Sequence, residues 1–504
     1  RIDLLGCSAD VVRQLVEGAP DLPLFPVHVL LPAGTRAQSV RILPLETTIL
    51  GERYRPGVLG PQSPGVPAAT LAADAALLSS ASWLPGQPLV GFENGLMRGR
   101  PLAAVAVAPV SWLPATGEIR LLTRFRVEVT IEEQPADPSA LRLERESPGG
   151  WRSFNEAVAA LAGSAAGEGV LGAASTLTPK VNSGAPYAPT FRPSVDGSPV
   201  ELVIITTAEQ ESAYQRLADF RTQTGVSAVV RRVDWIQDNY PAGVDLQETI
   251  RLFIRDAVEK WGTAWILLGG DTDYIPIRYG YTSFYGTEEI PTDLYYADLD
   301  GNWNADGDAV FGEGYLSVSS TGDAVDLYPD VWVGRLPTNS LAEAELLVDK
   351  VLDYTQSPPM GYQNDFLLLG EVLFPQTWNP GDAIQFDGAT LCEDVVDSML
   401  VQNRVTRMYE NYTAYPGALP EMKAAVIDSI NAGFNLVHHV GHGYINTMSV
   451  GLLHQTMINS DADLLVRNVT VVDVAAGRTV RARDVLVKGD RIVDVVRTGR
   501  AFVS

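Results

Sequence analysis

An α/β fold with a mostly parallel sheet, preceded by a β-sandwich-like domain, is what the 504 residues predict. From Val200 onward, short apolar runs suited to strands buried on both faces alternate with segments whose apolar residues fall at helical spacing. Between residues 20 and 133 the runs are instead rich in β-branched residues and broken by Pro and Gly. Residues 134 to 198, rich in Ala, Gly, Ser and Pro, have the composition of a linker. At ~150 residues per domain the length suggests about three domains. The boundaries read as 1–135 (β-rich), 136–198 (linker), 199–460 (α/β) and 461–504 (a short β segment).

In the first domain the strands are "LFPVHVLLPAG", "SVRILPLETTIL", "LAAVAVAPVSWL" and "RLLTRFRVEVTIEE", with Thr116 and Gly117 at the bend joining the last two. A short helix is expected around "FNEAVAALAG" within the linker. The α/β alternation then runs through the strand "VELVIIT", the helix "EQESAYQRLADFRTQTG", the strand "VSAVVRR", the helix "LQETIRLFIRDAVEKWG" and the strand "AWILLGG". It continues with the helix "SLAEAELLVDKVLDYTQ", the strand "DFLLLGEVL", the helix "GATLCEDVVDSML", the strand "RVTRMY", the helix "PEMKAAVIDSINAG" and the strand "FNLVHHV". After residue 461 only short strands and turns follow, so the alternation is expected to stop one strand past the histidines at most.

Acidic residues outnumber basic ones by 61 to 37, a formal charge of -24. That argues against nucleic-acid binding, which needs a positive surface, and fits a cation-binding protein better. Two cysteines, Cys7 and Cys392, form no disulfide framework. No apolar run approaches the ~20 residues of a membrane span. The sequence opens at Arg1 with no signal-peptide pattern, which reads as a processed chain or a fragment.

Three stretches carry candidate chemistry. "NLVHHVGHG" ends a strand in a Gly-His-Gly turn, and ligands of open α/β sheets sit at the carboxyl ends of strands, which makes His442 a candidate base. His438 and His442 have the spacing of a helical zinc pair, but His439 replaces the expected glutamate and Gly441 disfavours a helix. In "DLYYADLDGNWNADGDAVFGE", Asn302, Asn304, Asp306, Gly307, Asp308 and Glu313 occupy positions 1, 3, 5, 6, 7 and 12 of a calcium loop, with Asp298 and Asp300 adding carboxylates nearby. Asn at the first position and the lack of flanking helices set it apart from an EF-hand; hydrogen bonding within an Asx-rich loop is the competing reading. Asp271, Asp273 and Asp330 stand at strand boundaries in "WILLGGDTDYIPIR" and "DLYPDVWVGRLP" as candidates for lining a substrate pocket or orienting a base.

Taken together and in order, "ILLGGDTDYIPIR", "DLYYADLDGNWNADGD", "YPDVWVGRLP" and "VGHG" resemble the landmarks of the gingipain family of cysteine peptidases, over about residues 199–460. The β-rich segment ending in "FRVEVTIEE" is similar to that family's propeptide. The resemblance implies a caspase-like α/β fold, an extracellular or cell-surface location, a protein or peptide substrate, and peptide-bond hydrolysis by a Cys-His dyad. His442 matches the family's histidine, and Asp330 matches the region of a supporting acid. The nucleophile is expected at the end of the next strand, yet no cysteine occurs from Gly443 to Ser504. Cys392 lies in a helix before the histidine and Cys7 outside the catalytic domain, while Ser449 and Ser460 lack a nucleophile's context. The tail "DLLVRNVTVVDVAAGRTVRARDVLVKGDRIVDVV" resembles the opening β segment of a metal-dependent amidohydrolase without its His-x-His ligands. The chain therefore reads as a cysteine-peptidase relative lacking its nucleophile and interrupted in its active-site half. A calcium-stabilised peptide-binding protein and, less favoured, a metal-dependent amidohydrolase are the alternatives.

Overall fold

The computed structural model describes residues 12–13, 22–51, 80–134, 141–162, 199–240, 242–282, 288–313, 323, 325, 327–358, 360–375, 378–444, 447–450, 457–459, 464–473, 478–488 and 491–497. The chain forms two compact units that divide between Leu352 and Asp353.

In the Asp10–Leu352 unit, β1 (Pro23–Leu30), β2 (Thr35–Gly51), β3 (Leu89–Met97), β4 (Arg100–Val107), β5 (Val110–Leu113) and β6 (Glu118–Glu133) build two antiparallel sheets. One has the order β1–β4–β3, with Val12–Arg13 outside β1, and the other β2–β6–β5. Alternation does the work here: Val127 and Val129 in β6 stand opposite Ile42 and Val40 in β2, and these face Val27, Val105 and Val107 of the other sheet across a shared core. Gly117 takes φ +74° in the expected turn. The segment read as linker contains a 15-residue helix, α1 (Pro148–Ala162), which starts well before the expected "FNEAVAALAG". Phe154 and Val158, one turn apart, are buried against Leu30, Met97 and Leu102 of the sandwich, and this packing outweighs the weak local helix signal.

The same unit continues with β7 (Leu202–Thr206), α2 (Glu211–Gln223), β8 (Ala228–Arg232), α3 (Val233–Asn239), α4 (Leu246–Asp256), β9 (Trp265–Gly269), the hairpin β10 (Arg278–Thr282) and β11 (Glu288–Thr292), then β12 (Trp332–Leu336) and α5 (Leu341–Gln356). The strands β12–β9–β7–β8 form a parallel sheet. Consecutive residues Val203, Ile204 and Ile205 are all buried, as a strand covered on both faces requires. The α4 helix passes into a π turn at Ala257–Trp261 and stops at Gly262 with φ +73°.

Asp245 caps α4 by accepting from the Glu248 amide at 2.9 Å and takes a two-pronged bond from Arg278 at 2.8 and 2.9 Å. Burial pushes its carboxyl up, but Arg278 and the Glu248 and Gln247 amides outweigh that and hold it below the ordinary 3.8. A depressed acid contributes stability that is present above its unfolded value and lost as pH falls through the folded one. We expect Asp245→Asn to remove the part of the acid-unfolding slope lying below about pH 4, read by circular dichroism across a pH series; an unchanged slope would count against the pair.

In the Asp353–Ser504 unit, β13 (Asp365–Gly370), α6 (Gly388–Met399), β14 (Arg404–Tyr409), α7 (Lys423–Ala432) and β15 (Leu436–Val440) carry a second parallel sheet, ordered Leu419–Pro420, β14, β13, β15. Leu367, Leu369, Met408 and Val426 fill one face, and Leu368, Ala389, Cys392 and Tyr409 the other. A Cβ at Gly370 would stand 2.9 Å from the Ala389 backbone, so glycine lets the start of α6 close onto the strand end. Beyond the histidines the described residues are strands: a small sheet of Gly443–Tyr444, Thr447–Ser449 and Met457–Asn459, then antiparallel strands at Leu464–Asp473, Arg478–Lys488 and Arg491–Arg497. The fold class is α/β with parallel sheets flanked by helices, as the alternation of apolar runs predicts.

Candidate functional site

The carboxyl edge of the second sheet gathers a buried glutamate after three of its four strands. Glu371 follows β13, Glu410 follows β14 and Glu421 follows Leu419–Pro420. Backbone bonds fix them: the Glu371 amide donates to the Val440 carbonyl at 3.0 Å, and the Glu410 amide to Gly370 at 2.9 Å. Glu410 Oε2 accepts from the Val372 amide at 2.9 Å.

His442, just past β15, is held on three sides. Its amide donates to Glu371 Oε2 at 2.8 Å. Its carbonyl accepts from the Ser449 amide at 3.0 Å and the Ser449 hydroxyl at 2.9 Å. Its ring Nε2 lies 3.1 Å from the Leu373 carbonyl. A carbonyl only accepts, so Nε2 carries the proton in that bond, and Nδ1 is the atom with the basic lone pair of a neutral ring. The Phe374 ring meets the imidazole edge-on at 6.0 Å between centroids. Gly441 is required here: a Cβ would stand 2.3 Å from His439 Nε2, which bonds the Ser449 carbonyl at 2.8 Å. Burial, and then the neighbouring His439, push the His438 pKa down. Among the described residues no histidine joins a potential metal cluster.

Cys392 is buried on α6, its thiol donating to the Leu369 carbonyl at 3.5 Å. Burial first, and then Glu421, Glu393 and Asp387, push that thiol from 9.0 up to about 12. An attacking cysteine needs the opposite environment, one that favours the thiolate.

The other predicted residues lie in the Asp10–Leu352 unit. Asp330 is fully buried; Oδ1 accepts from the Arg98 amide at 2.6 Å, and Oδ2 from the Leu299 and Asp300 amides at 2.8 and 3.3 Å. Its carboxylate thus organises backbone where the chain enters β12. Asp271 accepts from the Thr272 amide and from Asn339 in the turn after β9, bonds that hold its carboxyl below the ordinary range. Asp273 is exposed in the same turn.

The calcium-like loop divides. Oxygens of Asp306, Asp308 and Glu313 lie within 4.8 Å of one another, whereas Asp298 and Asp300 group instead with Asp330 in a separate, buried cluster. Gly307 takes φ +77° at the bend. The Asn302 side chain accepts from the Asn304 amide at 3.2 Å, and Asn304 Nδ2 donates to the Asp308 carbonyl at 2.9 Å. Asn304 Oδ1 is buried and has no hydrogen-bond partner. Asp323, which the sequence pattern did not single out, ties the loop together by accepting from the Ala305, Gly312 and Glu313 amides. Desolvation, and then Asp308, Asp306 and Asp323, push the Glu313 carboxyl up.

Glu371, Glu410, Glu421 and the Leu373 carbonyl were also not anticipated. A usable signal was present: "LLLGE", "RMYE" and "LPE" each place a glutamate directly after an apolar stretch, where strand ends collect functional groups.

The sequence model of peptidase family C25 matches residues 196–470. An uncharacterised protein of Archaeoglobus fulgidus is 23% identical over 258 residues, 48% of this chain and 56% of that protein. The chain thus spans little more than half the length of that curated relative. Among solved structures, the complex of the pro- and mature domains of RgpB from Porphyromonas gingivalis is 19% identical with a TM-score of 0.35, covering 50% of each chain. The Arg-specific cysteine proteinase gingipain R is 19% identical with a TM-score of 0.35, covering 52% of each.

Proposed function

The chain belongs to peptidase family C25, whose sequence model covers more than half of its residues, and from that premise we propose that it carries the histidine half of a cysteine-peptidase site and binds peptides there without cleaving them. The observation that carries this reading is the seating of His442: Leu373 sets its tautomer, and buried Glu371 fixes its backbone at a parallel-sheet edge. In a working Cys-His dyad the imidazole draws the thiol proton, the thiolate attacks the peptide carbonyl, and an acyl-enzyme forms. Here Nδ1 of His442 is the proton-accepting atom, and Glu371 holds the His442 backbone amide in place; both oxygens of Asp330 accept backbone amides. No cysteine occurs from Gly443 to Ser504, and burial favours the neutral form of Cys392. The test is peptide binding by calorimetry together with the absence of cleavage products. Binding lost in Glu371→Gln and His442→Ala supports the reading, and His442-dependent turnover opposes it.

The loop at residues 302–313 suits a calcium ion. Hard oxygens from Asp306, Asp308 and Glu313 converge, the unpaired Asn304 Oδ1 offers a neutral ligand, and a divalent cation would offset the repulsion from Asp308 and Asp306 that adds to desolvation in raising the Glu313 carboxyl. At one hundred times its Kd, calcium should add about 2.7 kcal/mol of stability, lost in the double variant Asp306→Asn with Asp308→Asn. A melting temperature indifferent to chelator would rule the ion out. A calcium-held loop would be in keeping with an extracellular or cell-surface location, where calcium is abundant. No helix among the described residues is long and apolar enough to cross a membrane.

A further inference from the structure

We propose that Arg98 couples the folding of the N-terminal β sandwich to that of the neighbouring α/β half, so that the two open as a single cooperative unit. Arg98 and Gly99 form the two-residue turn between β3 and β4, with φ of +50° and +71°. Such turns demand left-handed backbone at both positions, which glycine accepts and arginine resists. The side chain at Arg98 therefore has to be explained by what it touches.

It touches the α/β half. Arg98 is 1% exposed. Its amide donates to Asp330 Oδ1 at 2.6 Å and its Nη1 to the Asp330 carbonyl at 2.7 Å, across 232 residues of sequence. Nε donates to Glu146 Oε1 at 2.8 Å, and the guanidinium carbon lies 4.9 Å from the centre of the Phe154 ring. Nη2 makes no hydrogen bond, so the pocket is shaped by position more than by saturation of donors. Around it the contact is apolar: Phe154 stacks on Trp332 at 4.6 Å, and Leu30, Met97 and Leu102 of the sandwich pack with Ala264 at the start of β9. The apolar cluster supplies adhesion, and the arginine, paired at both ends, sets the register between the halves. Asp330 completes the link, since its other oxygen holds the Leu299 and Asp300 amides of the α/β half.

Native-state hydrogen exchange of the full chain tests this. The expected result is that amides of β4 and of β9 open with the same free energy and the same denaturant dependence. In Arg98→Ala the β4 amides should exchange faster by about 30-fold or more, the loss expected on truncating one partner of a buried charged pair, while the β9 amides speed up by less. Arg98→Lys should lie between, because it keeps the charge and loses the fork. Arg124→Ala, which breaks an exposed pair with Glu46, should leave both strands unchanged. If β4 and β9 already open independently in the unaltered chain, the coupling is refuted, and this comparison stands even if Arg98→Ala does not fold. If Arg98→Ala folds and keeps the two strands equal, the coupling does not run through Arg98.

Discussion

Asp330→Ala is expected to lower the stability of the Asp10–Leu352 unit by on the order of 3–5 kcal/mol, the usual cost of removing one side of a buried charged network. The fully buried carboxylate accepts three backbone amides, from Arg98, Leu299 and Asp300. Its loss leaves those donors buried without an acceptor and strips the Arg98 guanidinium of a neighbouring charge. Asp330→Asn keeps an acceptor oxygen and should cost roughly half as much. Urea unfolding gives the answer through a shifted midpoint at unchanged slope. A loss under about 1 kcal/mol would mean that the amides find other partners, and the structural account of Asp330 would fail. A catalytic role predicts the reverse pattern, with little change in stability.

Cys392 should be nearly inert in the folded protein. A thiol moved from 9.0 to about 12 presents about a thousandfold less thiolate at neutral pH, and burial limits access to what remains. Alkylation followed by mass spectrometry should find Cys392 unmodified in native buffer and fully modified in denaturant. Rapid native labelling would place the thiol in a different environment and reopen it as a nucleophile. The effect follows from packing: Cys392 sits among Leu368, Ala389 and Tyr409, where a small apolar residue is needed and a charge is not tolerated.

Much of this was legible in the sequence. The strand "VELVIIT" and helix "SLAEAELLVDKVLDYTQ" follow from apolar periodicity alone, since a strand covered on both faces reads as a continuous run and a one-sided helix as a stripe. The Gly-His-Gly turn marked His442 because glycine beside a strand end signals close approach, here that of the His439 ring. The helix α1 began earlier than its local sequence suggested, because the Gly149 amide finds the Glu201 carboxylate and the Gly150 amide the Ser147 hydroxyl, partners for the first turn that the apolar spacing does not show. The calcium pattern treated Asp298 and Asp300 as neighbours of the loop, but spacing cannot reveal that Asp330 draws them into another cluster. Glu371 was missed for a similar reason: its link to the His442 amide spans 71 residues and exists only once β13 and β15 pair.

The central proposal is that His442 is seated as a base and that residues 1–504 supply no nucleophile for it to activate. Its most direct measurement is a mass-spectrometric peptide-library assay on the purified chain, run with and without calcium beside a His442→Ala variant. The account predicts that both proteins leave every peptide intact. Cleavage by the unaltered chain that disappears in His442→Ala would contradict it.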